Sequence, residues 1–126
     1  VHFLDIGYDV KEAGYLNENQ LITAYQAADF LVSPSLEDSG PMMVNQSIVC
    51  GTPMLAFNIG VAMDLIETGV TGYKARLFDD QDLANGLKYM LELSAEELQV
   101  MSANCRKFAL EHMTFAEYTR RLIALF

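Results

Sequence analysis

The chain has 126 residues, enough for one domain with a real core, and 52% of them are hydrophobic, which argues against disorder. Its net charge of −9 and the lack of any Lys/Arg cluster argue against a nucleic-acid-binding surface. No apolar run approaches the roughly 20 residues that cross a bilayer, and no His, Cys and carboxylate residues have metal-ligand spacing.

Predicted strands and helices alternate along the chain. Residues 1–6 read as a strand already in progress without an initiator methionine, so we expect the chain to be a piece of a longer protein. Short apolar runs predict further strands at 30–33, 54–57 and 73–75. Helices are predicted to begin near residues 17, 42, 62, 79, 94 and 114. Strands separated by helices indicate an α/β fold with a parallel sheet and right-handed crossovers.

The helical segments carry start signals and apolar faces. Capping boxes are predicted for Asn17 with Gln20, Ser94 with Glu97 and Thr114 with Glu117. The residues expected to form buried helix faces towards the C-terminus are Leu83, Leu87, Met90, Leu91, Leu98, Met101, Cys105, Phe108, Ala109, Tyr118, Leu122 and Leu125. Cys50 and Cys105 lie far apart in sequence, and we expect two free thiols rather than a disulfide.

The stretch 29–53 has the features of a ligand site. It predicts a buried strand, a polar loop with the adjacent acids Glu37 and Asp38, and then a helix. In open α/β sheets, ligands bind beyond the carboxyl ends of the strands, and the free N–H groups of a first helical turn attract phosphate. The backbone N–H groups of Met42 and Met43 are therefore candidates for binding an anion.

A series of short motifs follows a fixed order between residue 15 and about residue 91. In order they are Tyr25-Gln26-Ala27-Ala28-Asp29, Pro34-Ser35, Asp38, Gln46, Gly51-Thr52-Pro53, Gly60, Asp64 and Thr71-Gly72. Their order and spacing resemble the C-terminal, donor-binding domain of glycosyltransferases of the GT-B fold, which has two facing Rossmann-like domains. The resemblance is to family 4, the group 1 type.

The resemblance implies a fold and an activity. The fold is a Rossmann-like parallel sheet with flanking helices, in which residues 1–126 form a single, partial C-terminal domain whose N-terminal part is missing. The activity is transfer of a sugar from a nucleotide-diphosphate sugar, with retention at the anomeric carbon, in polysaccharide or glycan biosynthesis. The UDP- or GDP-sugar donor is a substrate, so no cofactor is expected. No metal is expected either.

Partners and location follow from the same resemblance. The expected partners are the nucleotide sugar and an N-terminal acceptor-binding domain of the same protein, with no nucleic acid. An exposed sheet edge, left where upstream strands are missing, would also allow a homodimer. The expected location is cytoplasmic, with room for peripheral association at the inner face of the membrane in the full-length protein.

The resemblance also assigns residues to roles. Asp38 occupies the position of the acid that faces the donor sugar and is the expected catalytic residue. The expected donor-binding residues are Tyr15, Ser39, Gly40, Met42, Met43, Gln46 and Gly60. Gln46 replaces a second acid that binds the ribose hydroxyls, so its hydrogen bonds lose charge assistance and about half their strength. Pro41 alters the glycine-containing turn of the family, and Val61 replaces the second glycine of a pair.

Structural interpretations of the same residues stay open at this point. Glu37 and Asp38 are also typical of solvated loop acids. Core packing, a hydrophobic staple or a helix turn would equally explain Tyr15, Asp29, Met42, Met43, Met54 and Asp64.

Two other functions also stay open. One is a truncated or degenerate non-catalytic domain with a binding or scaffold role, which Gln46 favours. The other is a sugar-nucleotide epimerase of the GT-B type, against which the spacing from Asp38 to Gln46 argues. The phosphate-binding Arg and Lys of the family lie upstream of this chain, and Lys11, Lys74 and Arg76 do not match them. We therefore expect the isolated fragment to bind nucleotide sugar poorly and not to turn it over.

Overall fold

The computed structural model describes residues 10–37 and 42–125. Within these ranges the elements are α1 Glu18–Ala27, β1 Leu31–Ser33, α2 Met42–Cys50, β2 Met54–Phe57, α3 Ala62–Leu65, β3 Gly72–Ala75, α4 Asp80–Glu92, α5 Ala95–His112 and α6 Phe115–Ile123. The strand predicted at residues 1–6 lies outside the described residues. None of the helices in the described part of the chain combines the length and the hydropathy of a membrane span.

The described strands form one parallel sheet in the order β1-β2-β3. Leu31 of β1 pairs with Met54 of β2, which pairs with Gly72 of β3. Every residue of β2 is buried, because it is the central strand and helices cover both faces of the sheet. The predicted α/β architecture with a parallel sheet is confirmed.

The core has two layers, one on each face of the sheet. On one face, Met54 and Ala56 pack with Val44 of α2. On the other face, Leu55 packs with Met90 and Met101. This alternation along β2 follows from the pleat, which turns successive side chains to opposite faces.

A third cluster joins α2 to the long helix α5 and contains one of the two cysteines. Ile48 packs there with Cys105 and Ala109. Burial raises the pKa of the Cys105 thiol to about 12, so it stays protonated at neutral pH. Cys50 and Cys105 are both free thiols, as predicted.

Two of the predicted capping boxes are confirmed and the third is half formed. The confirmed boxes are Asn17 with Gln20 and Ser94 with Glu97. At the third, the Thr114 hydroxyl accepts from the N–H of Glu117, but the Glu117 carboxylate pairs with Arg120 and Arg121. Two guanidinium groups are stronger partners for a carboxylate than one backbone N–H, so the reciprocal bond predicted for the box is replaced.

Some of the predicted apolar helix faces lie at the surface. Leu83, Gly86 and Met90 form the side of α4 that packs on the sheet, so Leu87 and Leu91 turn towards solvent, with Leu91 68% exposed. The residues at the C-terminus that were predicted to be buried and are exposed are Tyr118, Leu122 and Leu125. The prediction is wrong for Tyr118 and Leu122 because α6 buries none of its residues, and it is wrong for Leu125, which lies beyond the end of that helix.

The Gly51-Thr52-Pro53 motif connects three elements through buried hydrogen bonds. The Thr52 hydroxyl donates to the carbonyl oxygen of Tyr25 at 2.7 Å, which ties the end of α1 to the turn before β2. The Ser47 hydroxyl donates to the carbonyl oxygen of Thr52, also at 2.7 Å, which adds α2. Gly51 has a φ of 80°, the left-handed conformation expected at the end of a helix. The motif therefore has a structural role.

The Thr71-Gly72 motif also has a structural role. A Cβ atom on Gly72 would lie 1.9 Å from the carbonyl oxygen of Met54, a backbone atom of the neighbouring strand. The buried Thr71 hydroxyl donates to the carbonyl oxygen of Leu65 and accepts from the N–H of Glu67. The motif closes the turn into β3 and lets β3 approach β2.

Replacing Gly72 by alanine should destabilise the protein by at least about 2 kcal/mol, because the new methyl group overlaps the backbone of β2. Gly69 is a matched control. Like Gly72, whose φ is 158°, Gly69 has a positive φ, of 84°. A Cβ atom added to Gly69 would meet nothing nearer than the Tyr89 hydroxyl at 3.7 Å. Gly69→Ala should cost only about 1 kcal/mol. Urea denaturation measures both, and equal losses would contradict the close approach of β3 to β2.

Replacing Thr52 by valine should cost about 1–2 kcal/mol of unfolding free energy, because it keeps the shape of the side chain but removes the buried hydrogen bond to Tyr25. Thr23→Val is the control. The Thr23 hydroxyl donates to the Asn19 carbonyl at the surface, where water can replace it, so the change should stay within about 0.5 kcal/mol. A Thr52→Val variant as stable as Thr23→Val would show that the buried bond contributes nothing.

Candidate functional site

The carboxyl ends of the strands lie at one edge of the sheet, because the strands are parallel. β1 ends at Ser33, and α2 begins after the loop that follows it. β2 ends at Phe57 and leads into the turn 58–61. The predicted site residues Asp38, Ser39 and Gly40 lie outside the described residues. Those that the structure describes are Tyr15, Met42, Met43, Gln46 and Gly60.

The first turn of α2 faces solvent. Met42 is 69% exposed and Met43 is 44% exposed, because α2 packs against the sheet through Val44 and against α5 through Ile48 instead. The interpretation of Met42 and Met43 as core residues is therefore wrong, whereas Met54 is fully buried as that interpretation expects. The first turn of α2 contains no acidic residue, so no carboxylate within that turn offsets the partial positive charge at this helix end.

Gly60 shapes the turn that follows β2. Its φ of 53° lies in the left-handed region, and its carbonyl oxygen accepts from the N–H of Met63 at 3.2 Å. A second bond, from the N–H of Ala62 to the carbonyl oxygen of Ile59, closes the same turn. The turn starts the short helix α3, on which Asp64 is exposed. Gly60 therefore brings backbone, without a side chain, to the carboxyl edge.

Tyr15 lies in the segment that leads into α1 and is 96% exposed. Its interpretation as a hydrophobic staple or core residue is wrong, because a packed ring would be largely covered. The end of α1 leads directly to the amino end of β1, and Tyr15 lies before the other end of α1.

A groove of about 230 Å³ runs between α1 and α2. The residues that line it include Glu18, Leu21, Ile22, Tyr25, Asn45 and Gln46. At its floor, the Tyr25 hydroxyl donates to Gln46 Oε1 at 3.1 Å. Burial, with a smaller contribution from Cys50, raises the pKa of the Tyr25 phenol, so the phenol keeps its proton and remains a donor. Gln46 is therefore held by the neighbouring helix.

The part played by Tyr25 was not predicted. The sequence shows Tyr25 as a motif residue on one face of a helix, and 21 positions separate it from Gln46. No periodicity within one helix connects two residues of different helices. The one usable signal is that both belong to the same ordered series of motifs.

The cationic side chains nearest the end of β3 are engaged by other groups. Lys74 Nζ donates to the carbonyl oxygen of Met63 at 2.8 Å. The Arg76 guanidinium lies 2.9 Å from Asp79 and 3.3 Å from Asp82. The backbone N–H of Arg76, followed by the Tyr73 hydroxyl, lowers the pKa of Asp82 and keeps this carboxylate charged. Within the described ranges, no group of three or more His, Cys, Asp and Glu side chains could hold a metal ion.

A larger cavity, of about 530 Å³, lies elsewhere. It is lined by residues before β1, such as Asp29, by the turn before β2 and by α5. These segments meet at the amino ends of the strands, opposite the edge where ligands of open α/β sheets bind. The volume of this cavity therefore does not mark the predicted site.

The sequence matches the family model described as glycosyl transferases group 1 over residues 1–108. The D-inositol 3-phosphate glycosyltransferase of Mycolicibacterium smegmatis is 27% identical over 110 residues, which make up 84% of this chain and 25% of that enzyme. The enzyme of the same name from Mycobacterium avium is 29% identical over 109 residues, covering 81% of this chain and 26% of that enzyme. The chain thus spans about a quarter of the length of these relatives.

Solved structures show the same fold. Anabaena HepE in complex with UDP and glucose aligns with a TM-score of 0.68 and 21% identity, covering 81% of this chain and 28% of that chain. Sucrose-phosphate synthase from Thermosynechococcus elongatus also aligns with a TM-score of 0.68 and 21% identity, covering 90% of this chain and 30% of that chain. The fold is the predicted Rossmann-like α/β fold of the GT-B type, and the family match shows that the chain belongs to the group 1 glycosyltransferases.

Proposed function

We propose that this chain is the donor-binding part of a glycosyltransferase that moves a sugar from a nucleotide-diphosphate sugar, with retention at the anomeric carbon, in polysaccharide or glycan synthesis. The observation that carries the proposal is the family match over residues 1–108, which includes the whole carboxyl edge described above. Support for a nucleotide-sugar partner comes from HepE, which was solved with UDP and glucose and with UDP-glucose.

The start of α2 would receive the diphosphate. Its first turn is exposed, contains no acid, and offers the backbone N–H groups of Met42 and Met43. The positive end of the helix dipole stabilises negative charge there, and this charge grows as the diphosphate leaves. The helix end therefore supports both donor binding and departure of the leaving group.

The side chains around this point would select the nucleoside and the sugar. Asp38, with Ser39 and Gly40, would face the donor sugar from the loop before α2. Gln46, one turn into α2, would bind the ribose. Gly60 would bring the turn after β2 close to the sugar, and Tyr15 would lie near the base. A carboxylate suits its place because it accepts two hydrogen bonds from neighbouring sugar hydroxyl groups, and an amide can still form a hydrogen bond with a ribose.

The remainder of the polypeptide would complete the site. A diphosphate needs positive charge, and Lys74 and Arg76 are engaged elsewhere. We place the missing cations and the acceptor site in the portion of the protein that this chain does not span. The proposed reaction uses no metal ion and no cofactor. We do not expect the 126-residue chain alone to turn over the donor. A cytoplasmic location with peripheral association at the membrane completes it.

A non-catalytic donor-binding domain is the second candidate. The amide at position 46 favours it, because an amide in place of the acid can still form hydrogen bonds with a ribose. The assay that separates the candidates uses the full-length polypeptide, a panel of UDP- and GDP-sugars, and identification of the products. Transfer that retains the anomeric configuration of the donor supports the proposal. Nucleotide binding without any product indicates the non-catalytic domain, and release of an epimerised nucleotide sugar indicates an epimerase.

Replacing Asp38 by alanine in the full-length enzyme should lower kcat/KM more than tenfold, which corresponds to about 1.4 kcal/mol of transition-state stabilisation. The reason is that the variant loses the carboxylate proposed to face the donor sugar. Glu37→Ala removes the adjacent, exposed acid and should change kcat/KM less than about threefold. Steady-state kinetics measures both, and similar effects of the two variants would remove Asp38 from its role.

Replacing Gln46 by glutamate should preserve or tighten nucleotide binding, because a carboxylate forms charge-assisted hydrogen bonds with ribose hydroxyls. Isothermal titration calorimetry of the full-length protein with the nucleotide diphosphate measures the change. Gln46→Leu serves as the control, since it keeps similar bulk without a polar group, and it should weaken binding. Loss of binding in Gln46→Glu would contradict a ribose role for this position.

A further inference from the structure

We propose that Tyr25 is a positioning residue that fixes the side-chain amide of Gln46, so that Gln46 presents its NH2 group to a ribose hydroxyl of the donor. The inference rests on the proposed function, because it requires a nucleotide in the site. Its basis is the bond from the Tyr25 hydroxyl to Gln46 Oε1 at 3.1 Å, in the groove between α1 and α2. The phenol donates its hydrogen bond to the amide oxygen. The amide nitrogen, which is bonded to the same carbon, therefore points away from the phenol.

The phenol is a fixed partner for Gln46. Tyr25 is only 7% exposed, and its own carbonyl oxygen accepts from the Thr52 hydroxyl at 2.7 Å. Ser47, the neighbour of Gln46 on α2, donates to the carbonyl oxygen of Thr52. The two residues of the pair are thus joined a second time, through the backbone at Thr52. Because both ends are anchored, the orientation of the amide is set before a ligand arrives.

An amide needs such a partner, whereas a carboxylate does not. The two oxygens of a carboxylate are equivalent acceptors, so a rotated carboxylate presents the same chemistry to a ribose. An amide has an acceptor at one end and a donor at the other, so rotation exchanges the two. Tyr25 selects the rotamer with the donor facing the ligand. A ribose hydroxyl would then accept from Gln46 and keep its own proton for another acceptor.

The test compares nucleotides with and without the ribose hydroxyls. Full-length protein would be titrated calorimetrically with UDP or GDP, whichever it binds more tightly, and with the 2′-deoxy and 3′-deoxy forms of the same nucleotide. Tyr25→Phe keeps the buried ring and removes only the hydroxyl. We expect it to weaken binding of the parent nucleotide about three- to tenfold, the range of one hydrogen bond. For at least one deoxy form, Tyr25→Phe should change the affinity less than twofold, because that nucleotide lacks the hydroxyl that Gln46 would bind.

Two controls separate positioning from a general structural effect. Tyr73→Phe removes a phenol that donates to Asp82 Oδ1 at 2.9 Å, away from the groove, and should leave nucleotide affinity unchanged. In a Gln46→Glu background, Tyr25→Phe should change affinity less than twofold, because a carboxylate needs no orienting partner. Persistence of the full effect in that background would overturn the inference.

The remaining outcomes are also decisive. Equal losses for the parent nucleotide and both deoxy forms would show that Tyr25 acts only on the fold, which overturns the inference. Unchanged affinity in Tyr25→Phe would overturn it as well, and in both cases the proposed function would stand. Failure of the unmodified protein to bind any nucleotide would instead overturn the proposed function, and the inference would fall with it.

Discussion

The buried hydroxyl of Thr52 is the contact on which the arrangement of the candidate site depends. It donates to the carbonyl oxygen of Tyr25, while the carbonyl oxygen of Thr52 itself accepts from Ser47. An unsatisfied polar group in this position would be costly, so α1, α2 and the start of β2 are held in one relative placement. That placement forms the groove between the two helices and brings the phenol of Tyr25 to Gln46.

The motifs that identify the family therefore divide into two kinds. Thr52 and Gly72 act on the fold, one through a buried hydrogen bond and the other through the absence of a side chain where β3 meets β2. Gly60 and the first turn of α2 lie at the carboxyl edge, where a ligand of an open α/β sheet would bind, and Gln46 follows one turn further along α2. Recognition of the family from the ordered motifs rests on both kinds, and in the proposed function the second kind contacts the donor.

The sequence predicted the elements well because their signals are local. Capping boxes, apolar runs and a helix-ending glycine each lie within a few residues, and they located α1, α2, α5 and the described strands. Surface packing was predicted less well. Leu91 and Tyr118 have the periodicity of a buried face, but which side of a helix is covered depends on how the helices pack in three dimensions. The exposed Met42 and Met43 illustrate the same limit on α2.

The site was predictable to the extent that it follows from topology. A strand followed by a loop and a helix start indicates an anion site without any tertiary information. The pairing of Tyr25 with Gln46 required the tertiary structure, because it crosses from one helix to another over 21 positions. A sequence can show that an amide replaces an acid, and only the packing shows which partner holds that amide.

Charge then determines what this part of the protein can contribute to binding a nucleotide diphosphate. The chain has a net charge of −9, Lys74 is bound to a carbonyl oxygen, and Arg76 is bound to two aspartates. Phosphate at the start of α2 would meet backbone N–H groups and a helix dipole, worth roughly 0.3–1 kcal/mol at an exposed position. That is small beside the desolvation of a diphosphate, so in the proposed function most of the attraction for phosphate comes from cations outside this chain. The neutral groups along the groove, Gln46 above all, would then contribute hydrogen bonds to the ribose, which UDP- and GDP-sugars share, while the phosphates depend on those cations.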